Sequence, residues 1–409
     1  MNRRKFLAAA GTLGAGLIGG RGALALRPLV APVASSSPGT DVVRLGVIGS
    51  GDRGTGLLRS LATVGGLRAV ACCDVLPFRL EEGLAHAGEG CRAYSDYRAL
   101  LDDRSVDAVV IATPLHLHHR MAVDALDAGK HVYCEKTMTY GIEEALDLVA
   151  LARARPGQVF QVGFQYRYHP LYLHVAELVR AGELGRVTHV AMQWNRNGDW
   201  RRPVPDPKLE RQINWRMYRE YSGGLLAELG AHQLDFVSWV FDARPAQVVG
   251  AGGIDYWRDG RETFDNVHAV WTFPDGMKAS FTSLTANAHG GYRIELRGSR
   301  GTIELGVDSA RWFVEELSPK ELGVVDGVSG ATLATSSDGI EVDVRAREGW
   351  NGTHYALHGF REAVSRGTPP SSDVVRGARS AIATRLAIDA TRSGEPRSWR
   401  AEWDAPLGD

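Results

Sequence analysis

Four cysteines, Cys72, Cys73, Cys91 and Cys134, are all that 409 residues contain, and with two of them adjacent no disulfide framework holds this fold. They read instead as small core hydrophobes. Zinc-like ligand spacing is missing as well: His116, His118 and His119 cluster at the start of a predicted helix with no second ligand group, so no metal is expected. Charge of one sign is absent, since 47 Lys+Arg against 48 Asp+Glu leave a formal charge of -1. That balance offers a polyanion no footprint and argues against nucleic acid as a partner. There is no internal repeat and no low-complexity period. The one strongly apolar N-terminal stretch, Phe6 to Ile18, is too short to span a bilayer.

The length exceeds what one hydrophobic core usually serves and predicts two domains. The basic start Arg3, Arg4 and Lys5 running into Phe6-Leu7 resembles a twin-arginine export signal, and Ala23-Leu24-Ala25 supplies a small-residue cleavage site. Residues 1–25 are therefore expected to be a signal peptide read by the twin-arginine machinery, with an uncleaved anchor as the alternative. Residues 26–41, rich in Pro and Ser, are expected to be a linker. The mature protein is expected in the periplasm or otherwise exported. Scarce cysteine fits this route, which carries proteins already folded in a reducing compartment.

From Val42 the pattern becomes strand, glycine turn, helix, strand (VVRLGVIGS, GDRGTGLLRSLATVG, LRAVACCD). Further strands (VDAVVIAT, HVYCEK, VFQVGF) alternate with helices, including one over residues 142–153. This predicts an α/β domain at 42–165 with a doubly wound parallel Rossmann sheet. After Tyr166 longer alternating strands joined by turns predict an α+β domain at 166–409 with a large, mostly antiparallel open sheet and C-terminal helices. A single helix is expected over LLAELGAHQLDFVSWVF. The proline-rich stretch RNGDWRRPVPDPKLERQINW predicts a long loop over one face.

Gly49-Ser50-Gly51-Asp52-Arg53-Gly54 fits G-x-G-x-x-G at a strand-to-helix turn. Gly49 permits the tight turn, Gly51 lets a pyrophosphate approach the backbone, and Gly54 lets helix and strand pack closely. Asp52 and Arg53 lie within the turn, and Arg53 reads equally as a phosphate contact or as a solvent-facing cation. Asp74 ends the second strand, where a carboxylate binds both ribose hydroxyls and repels a 2′-phosphate, so NAD is favoured over NADP.

With the glycine turn, Ala112-Thr113-Pro114 followed by His118, the run Gly129 to Lys136, and the segment Gly223 to Asp235, the chain from Val42 onward resembles the glucose-fructose oxidoreductase/inositol dehydrogenase/rhizopine catabolism (Gfo/Idh/MocA) family. The resemblance implies that Lys136 lies between nicotinamide and substrate, that Glu135 touches the cofactor, and that Thr113, Pro114 and His118 border it. Thr137 stands where the family has a proline, often cis, and Leu115 where it has asparagine. Glu228 replaces an aspartate four residues before His232, which leaves open whether it touches substrate or orients His232. The resemblance further implies a homo-oligomer, dimer or tetramer, built on the open sheet.

The expected chemistry is oxidation of a sugar or glycoside hydroxyl, the 3-hydroxyl being one candidate, with NAD held tightly because an exported enzyme would lose a free cofactor. His232, with a pKa near working pH, is the expected general base, and Lys136 stabilises developing oxyanion charge. Glu228 completes the catalytic set. Tyr166, Arg167, Tyr168, Trp194, Asn195, Trp200, Arg201, Asn287, His289 and Tyr292 are candidate sugar contacts, alongside His232. An NAD-dependent redox glycosidase, working by transient oxidation, elimination, water addition and re-reduction, is the alternative. A non-catalytic carbohydrate-binding module is the third reading.

Overall fold

A computed structural model describes residues 42–315 and 338–408, with the backbone of the short strands Val324–Val325 and Val328–Ser329. The expected signal peptide and linker lie outside the described residues. The first sheet is built from β1 (Val43–Ile48), β2 (Leu67–Cys73), β3 (Arg92–Tyr94), β4 (Ala108–Ile111), β5 (His131–Cys134) and β6 (Phe160–Val162). Its order is β3-β2-β1-β4-β5-β6, and every pairing is parallel. Helices α1 (Asp52–Leu61), α2 (Pro77–Ala87), α3 (Tyr97–Leu101), α4 (His118–Asp127) and α5 (Ile142–Arg153) connect the strands. With both faces covered, the strands must be apolar throughout, and all four residues of β4 are fully buried. Strand order reverses between β1 and β4, which opens a crevice beyond their carboxyl ends, the place where such sheets bind ligands.

Helix α6 (Pro170–Arg180) leads into the second sheet, made of β7 (Val187–Asn197), β8 (Gln247–Gly253), β9 (Asn266–Thr272), β10 (Lys278–Leu284), β11 (Ala286–Gly298), β12 (Gly301–Leu305) and β13 (Ala310–Val314), with the short strands Ile340–Glu341 and Arg397–Ser398 at its edges. Among the described residues only β7 and β10 pair in parallel; the other neighbours are antiparallel. Along β9 the alternation is clean: Val267, Ala269 and Trp271 are buried, and Trp271 Nε1 donates to the Ala383 carbonyl at 3.3 Å.

The expected single helix near residue 230 divides in two. Residues Leu226–Gly230 wind as a π-helical turn that runs into α7 (Ala231–Val240). Helix α8 (Gly352–Arg366) returns to the first domain, where Ala356, Leu357 and Phe360 join the cluster formed by Leu45, Val47 and Tyr133. Helix α9 (Val374–Ser393) fills the core of the second domain. The proline-rich stretch is irregular as expected, with short helical turns at Pro207–Leu209, Glu210–Ile213 and Trp215–Met217. Cys72, Cys73 and Cys134 are buried and unbridged, and Cys91 is half-buried.

Candidate active site

The glycine turn does what its spacing requires. Gly49 has φ +89°, open to glycine but strained for other residues, and a Cβ there would meet the Ala112 carbonyl at 2.9 Å. A Cβ on Gly54 would sit 1.9 Å from the Gly49 carbonyl oxygen, so only glycine lets α1 start this close to the strand. Gly51, immediately before α1, differs: a Cβ there would meet nothing within 4 Å. That open space faces a helix N-terminus, where backbone N–H groups and the helix dipole suit a phosphate. It belongs to a cavity of about 780 Å³ whose wall includes Gly49, Gly51 and Asp74, within the roughly 300–1,000 Å³ typical of ligand sites. The Asp74 carboxylate is oriented by N–H donation from Ser50 and Leu76, each at 2.9 Å, and keeps lone pairs for ribose hydroxyls. These residues fit a dinucleotide.

Arg53 is half-buried and paired rather than free. It donates from Nε to Glu135 at 2.7 Å, from Nη1 to Thr353 Oγ1 at 3.0 Å and from Nη2 to Gln165 Oε1 at 3.1 Å. One guanidinium thus ties α1 to the end of β5, the segment after β6 and helix α8. Gly163 permits this packing, since a Cβ there would come within 2.9 Å of the Glu135 carboxylate. Asp52 accepts from Arg79 at 3.1 Å and from Arg202 of the long loop at 2.8 Å. Thr113 and Pro114 lie on the cavity wall. His118 is buried, with Nδ1 at 2.9 Å from the Thr137 carbonyl and Nε2 at 2.9 Å from that of Thr113. Burial lowers its pKa, and the two carbonyls offset this only in part. It joins the ends of β4 and β5. His119 pairs instead with Asp147.

Lys136, Glu228 and His232 line the same cavity. The Lys136–Thr137 peptide is cis. Lys136 Nζ donates to the Glu228 backbone carbonyl and Thr137 Oγ1 to that of Ala227, both at 2.9 Å. Both acceptors belong to the π-helical turn, and such widened turns recur at functional sites. The hydroxyl of Thr137 therefore makes a cross-domain bond that a proline could not. Burial lowers the pKa of Lys136, while Glu228 and Glu135 act to raise it.

The Glu228 carboxylate accepts from Arg216 Nε at 2.9 Å. Burial acts to raise its pKa, but Arg216 and Lys136 more than offset this and hold it below the usual range. It makes no hydrogen bond to His232, whose buried Nδ1 has no hydrogen-bond partner among the described residues. His232 packs instead among rings: Phe164, Tyr166 and Trp194 have centroids 6.3, 5.5 and 5.8 Å away. The expected pKa near neutrality is corrected here. Burial, with repulsion from Lys136 and Arg53, holds His232 well below its ordinary value, so it is a neutral imidazole.

The expected sugar contacts separate. Trp200 lies on the cavity wall. Tyr166, stacked on Tyr172, and Tyr292, edge-on to Trp194, form an aromatic layer against His232. Arg167 is withdrawn from any ligand: it makes two 2.8 Å bonds to Asp235, and both side chains are 3% exposed. Arg201 is held by Asp259 and Glu210. Tyr168 bonds Ser372. Asn287 accepts from its neighbour His289 N–H, and Asn195 donates to the His289 carbonyl, an exposed turn away from the cavity wall. Residue type alone could not show that these groups find partners within the protein.

The sequence reading missed Gln165, Arg196, Arg202, Arg216 and Tyr221 on the wall, and Thr353 beneath it. Gln165 follows a Rossmann strand directly, a usable signal. Thr353 bonds a residue 300 positions away, and nothing local marks it.

A glycine turn, an oriented acidic residue and a lysine-histidine pair on one cavity define a nucleotide-dependent oxidoreductase. Family comparison agrees. Residues 43–164 match the oxidoreductase family's NAD-binding Rossmann fold, and residues 172–304 match the GFO/IDH/MocA C-terminal domain. Inositol 2-dehydrogenase 2 of Saccharopolyspora erythraea is 30% identical over 269 residues, covering 64% of this chain and 73% of that one. The oxidoreductase sll0816 of Synechocystis is 32% identical over 249 residues, 56% of this chain and 63% of its own length. A levoglucosan dehydrogenase solved with NADH and levoglucosan superposes with a TM-score of 0.71 at 21% identity, over 87% of this chain and 99% of its own. The chain belongs to the Gfo/Idh/MocA oxidoreductase family.

Proposed function

We propose that the protein oxidises a hydroxyl of a sugar or glycoside, with NAD as the tightly held cofactor. The observation that carries this reading is a single cavity on which Lys136 and a neutral His232 share the wall with the glycine turn and Asp74. When bound, the oxidised nicotinamide supplies the hydride acceptor. His232, neutral and on the cavity wall, takes the hydroxyl proton. Lys136, fixed by the Glu228 carbonyl, offers positive charge to the oxygen as it becomes an alkoxide. Arg216 occupies the Glu228 carboxylate, which makes Glu228 the group that sets the field at Lys136. Asp74 favours NAD because a 2′-phosphate would meet its carboxylate. The dehydrogenases among the relatives, acting on inositol and levoglucosan, support a polyol or sugar as substrate.

Export through the twin-arginine route, read from Arg3 and Arg4, and assembly into a homo-oligomer belong to the same proposal. The test is to purify the protein without added nucleotide, identify what denaturation releases, and challenge the native protein with a panel of sugars, polyols and glycosides. NAD release and a sugar-dependent rise in the reduced-nicotinamide band are expected. Carbohydrate binding by nucleotide-loaded protein with no such change across the panel would make it a binding module instead.

A further inference from the structure

The chain as a whole is electrically balanced, yet the cavity is not. Eight Lys or Arg side chains face four carboxylates along its wall. Five of the cations, Arg196, Arg202, Lys208, Arg211 and Arg216, come from the end of β7 and the long loop after it, residues 196–217, which bring no carboxylate to that wall. Three of the five have carboxylate partners: Arg202 pairs with Asp52, Arg211 with Glu220 and Glu262, and Arg216 with Glu228. Arg196 and Lys208 have none among the described residues. The two negative charges of the cofactor's pyrophosphate, partly offset by an oxidised nicotinamide, do not balance this excess.

Arg196 is also the better placed of the two. It stands two residues beyond Trp194 on β7, on the same face of the strand and about 7 Å along it. The Trp194 ring in turn lies 5.8 Å from that of His232. The guanidinium sits 5.3 Å from the Trp200 ring centroid, and both residues line the cavity. The Arg196 side chain is exposed, and partial burial, then repulsion from Arg202 and Arg216, lowers its pKa. A planar guanidinium with free N–H donors matches a carboxylate in bidentate geometry.

Resting on the oxidoreductase reading above, we propose that the substrate is an anionic sugar, best matched by a uronic acid or uronide, whose carboxylate is received by Arg196 with Lys208 adding to the field. A sugar phosphate shares the relevant chemistry and forms a separate arm of the test.

The full-length, nucleotide-loaded protein is assayed with matched pairs of methyl glucosides and methyl glucuronides, their galacto and manno counterparts, and the hexose 6-phosphates. Nucleotide content is measured in parallel. We expect kcat/KM for a uronide or a phosphate to exceed that of its neutral congener at least tenfold. Arg196→Gln lowers that ratio at least tenfold, Arg196→Lys retains part of it, and nucleotide per chain does not fall in either variant. Preference for the phosphate over the uronide would overturn the carboxylate assignment. A neutral glycoside oxidised as efficiently as its acidic congener would overturn the anionic subsite while leaving the oxidoreductase reading intact. So would a ratio that Arg196→Gln does not move. Loss of nucleotide from Arg196→Gln would assign the cation to the cofactor's phosphates and overturn the proposal. No reduction by any sugar, with nucleotide bound, would remove the underlying reading as well.

Discussion

Gly51 and Gly54 lie three residues apart, and replacing each with alanine separates nucleotide binding from folding. At Gly51 the backbone has φ -67°, which alanine adopts freely, and its Cβ would meet nothing within 4 Å. Folding stability of the nucleotide-free protein should change by no more than about 1 kcal/mol, the scale of a helix-cap change. The methyl group would nevertheless occupy the space through which a pyrophosphate approaches the first N–H groups of α1. Displacing one charge-assisted hydrogen bond costs about 1.5–3 kcal/mol, or roughly ten- to a hundredfold in affinity. At Gly54 the Cβ would fall 1.9 Å from the Gly49 carbonyl oxygen, a backbone atom that cannot rotate away. Overpacking of this kind costs about 1–3 kcal/mol or more. The assays are urea unfolding of both nucleotide-free variants and titration of each with NAD. Gly51→Ala should unfold like the parent and bind weakly, whereas Gly54→Ala should unfold early. A Gly51→Ala protein that binds NAD as tightly as the parent would refute the assignment of this turn.

Three further outcomes follow from the site and its supports. His232→Asn should lower kcat by about 10²–10⁴, the usual contribution of a general base, without loss of bound nucleotide; turnover at the parental rate would remove His232 from the proton path. Because the folded-state pKa values of His118, His131, His169 and His232 are depressed, mainly by burial, the unfolded chain binds more protons than the folded one below pH 6.5. Unfolding free energy should therefore fall as pH drops from 6.5 toward 5, and the acid limb of kcat/KM due to His232 should lie below 6.5; a flat stability profile over that range would contradict the burial argument. Asp235→Ala strands the Arg167 guanidinium, 3% exposed, and should destabilise the fold by about 3–5 kcal/mol, measurable as a large drop in thermal midpoint; an unchanged midpoint would show that the pair is not buried as described.

The Rossmann half was legible because strands covered on both faces must be apolar, and VDAVVIAT or HVYCEK between glycine turns leaves little choice. Helix Ile142–Arg153 was read with the bounds it has. The site was legible where one short segment carries it, as in the glycine turn with Asp74, or Lys136 at the end of β5. It was not legible where distant segments meet. Helix α8 completes the first domain through apolar contacts that its own amphipathic pattern leaves unspecified. The π-helical turn at Leu226–Gly230 is a tertiary adjustment that lets two carbonyls receive Lys136 and Thr137, and no local propensity encodes it. Arginine was the residue most often misassigned: Arg167 and Arg201 satisfy internal carboxylates, while Arg196, which the sequence reading passed over, has none among the described residues.

The central claim is hydride transfer between a sugar carbon and a nicotinamide held on this cavity, and isotope transfer tests it most directly. A substrate found in the panel is prepared with deuterium on the reacting carbon, mixed with the nucleotide-loaded protein for one turnover, and the nucleotide is released and weighed. The account predicts reduced nicotinamide heavier by one mass unit. Reduced nucleotide of ordinary mass, or sugar converted with the nucleotide left unlabelled throughout, would contradict it.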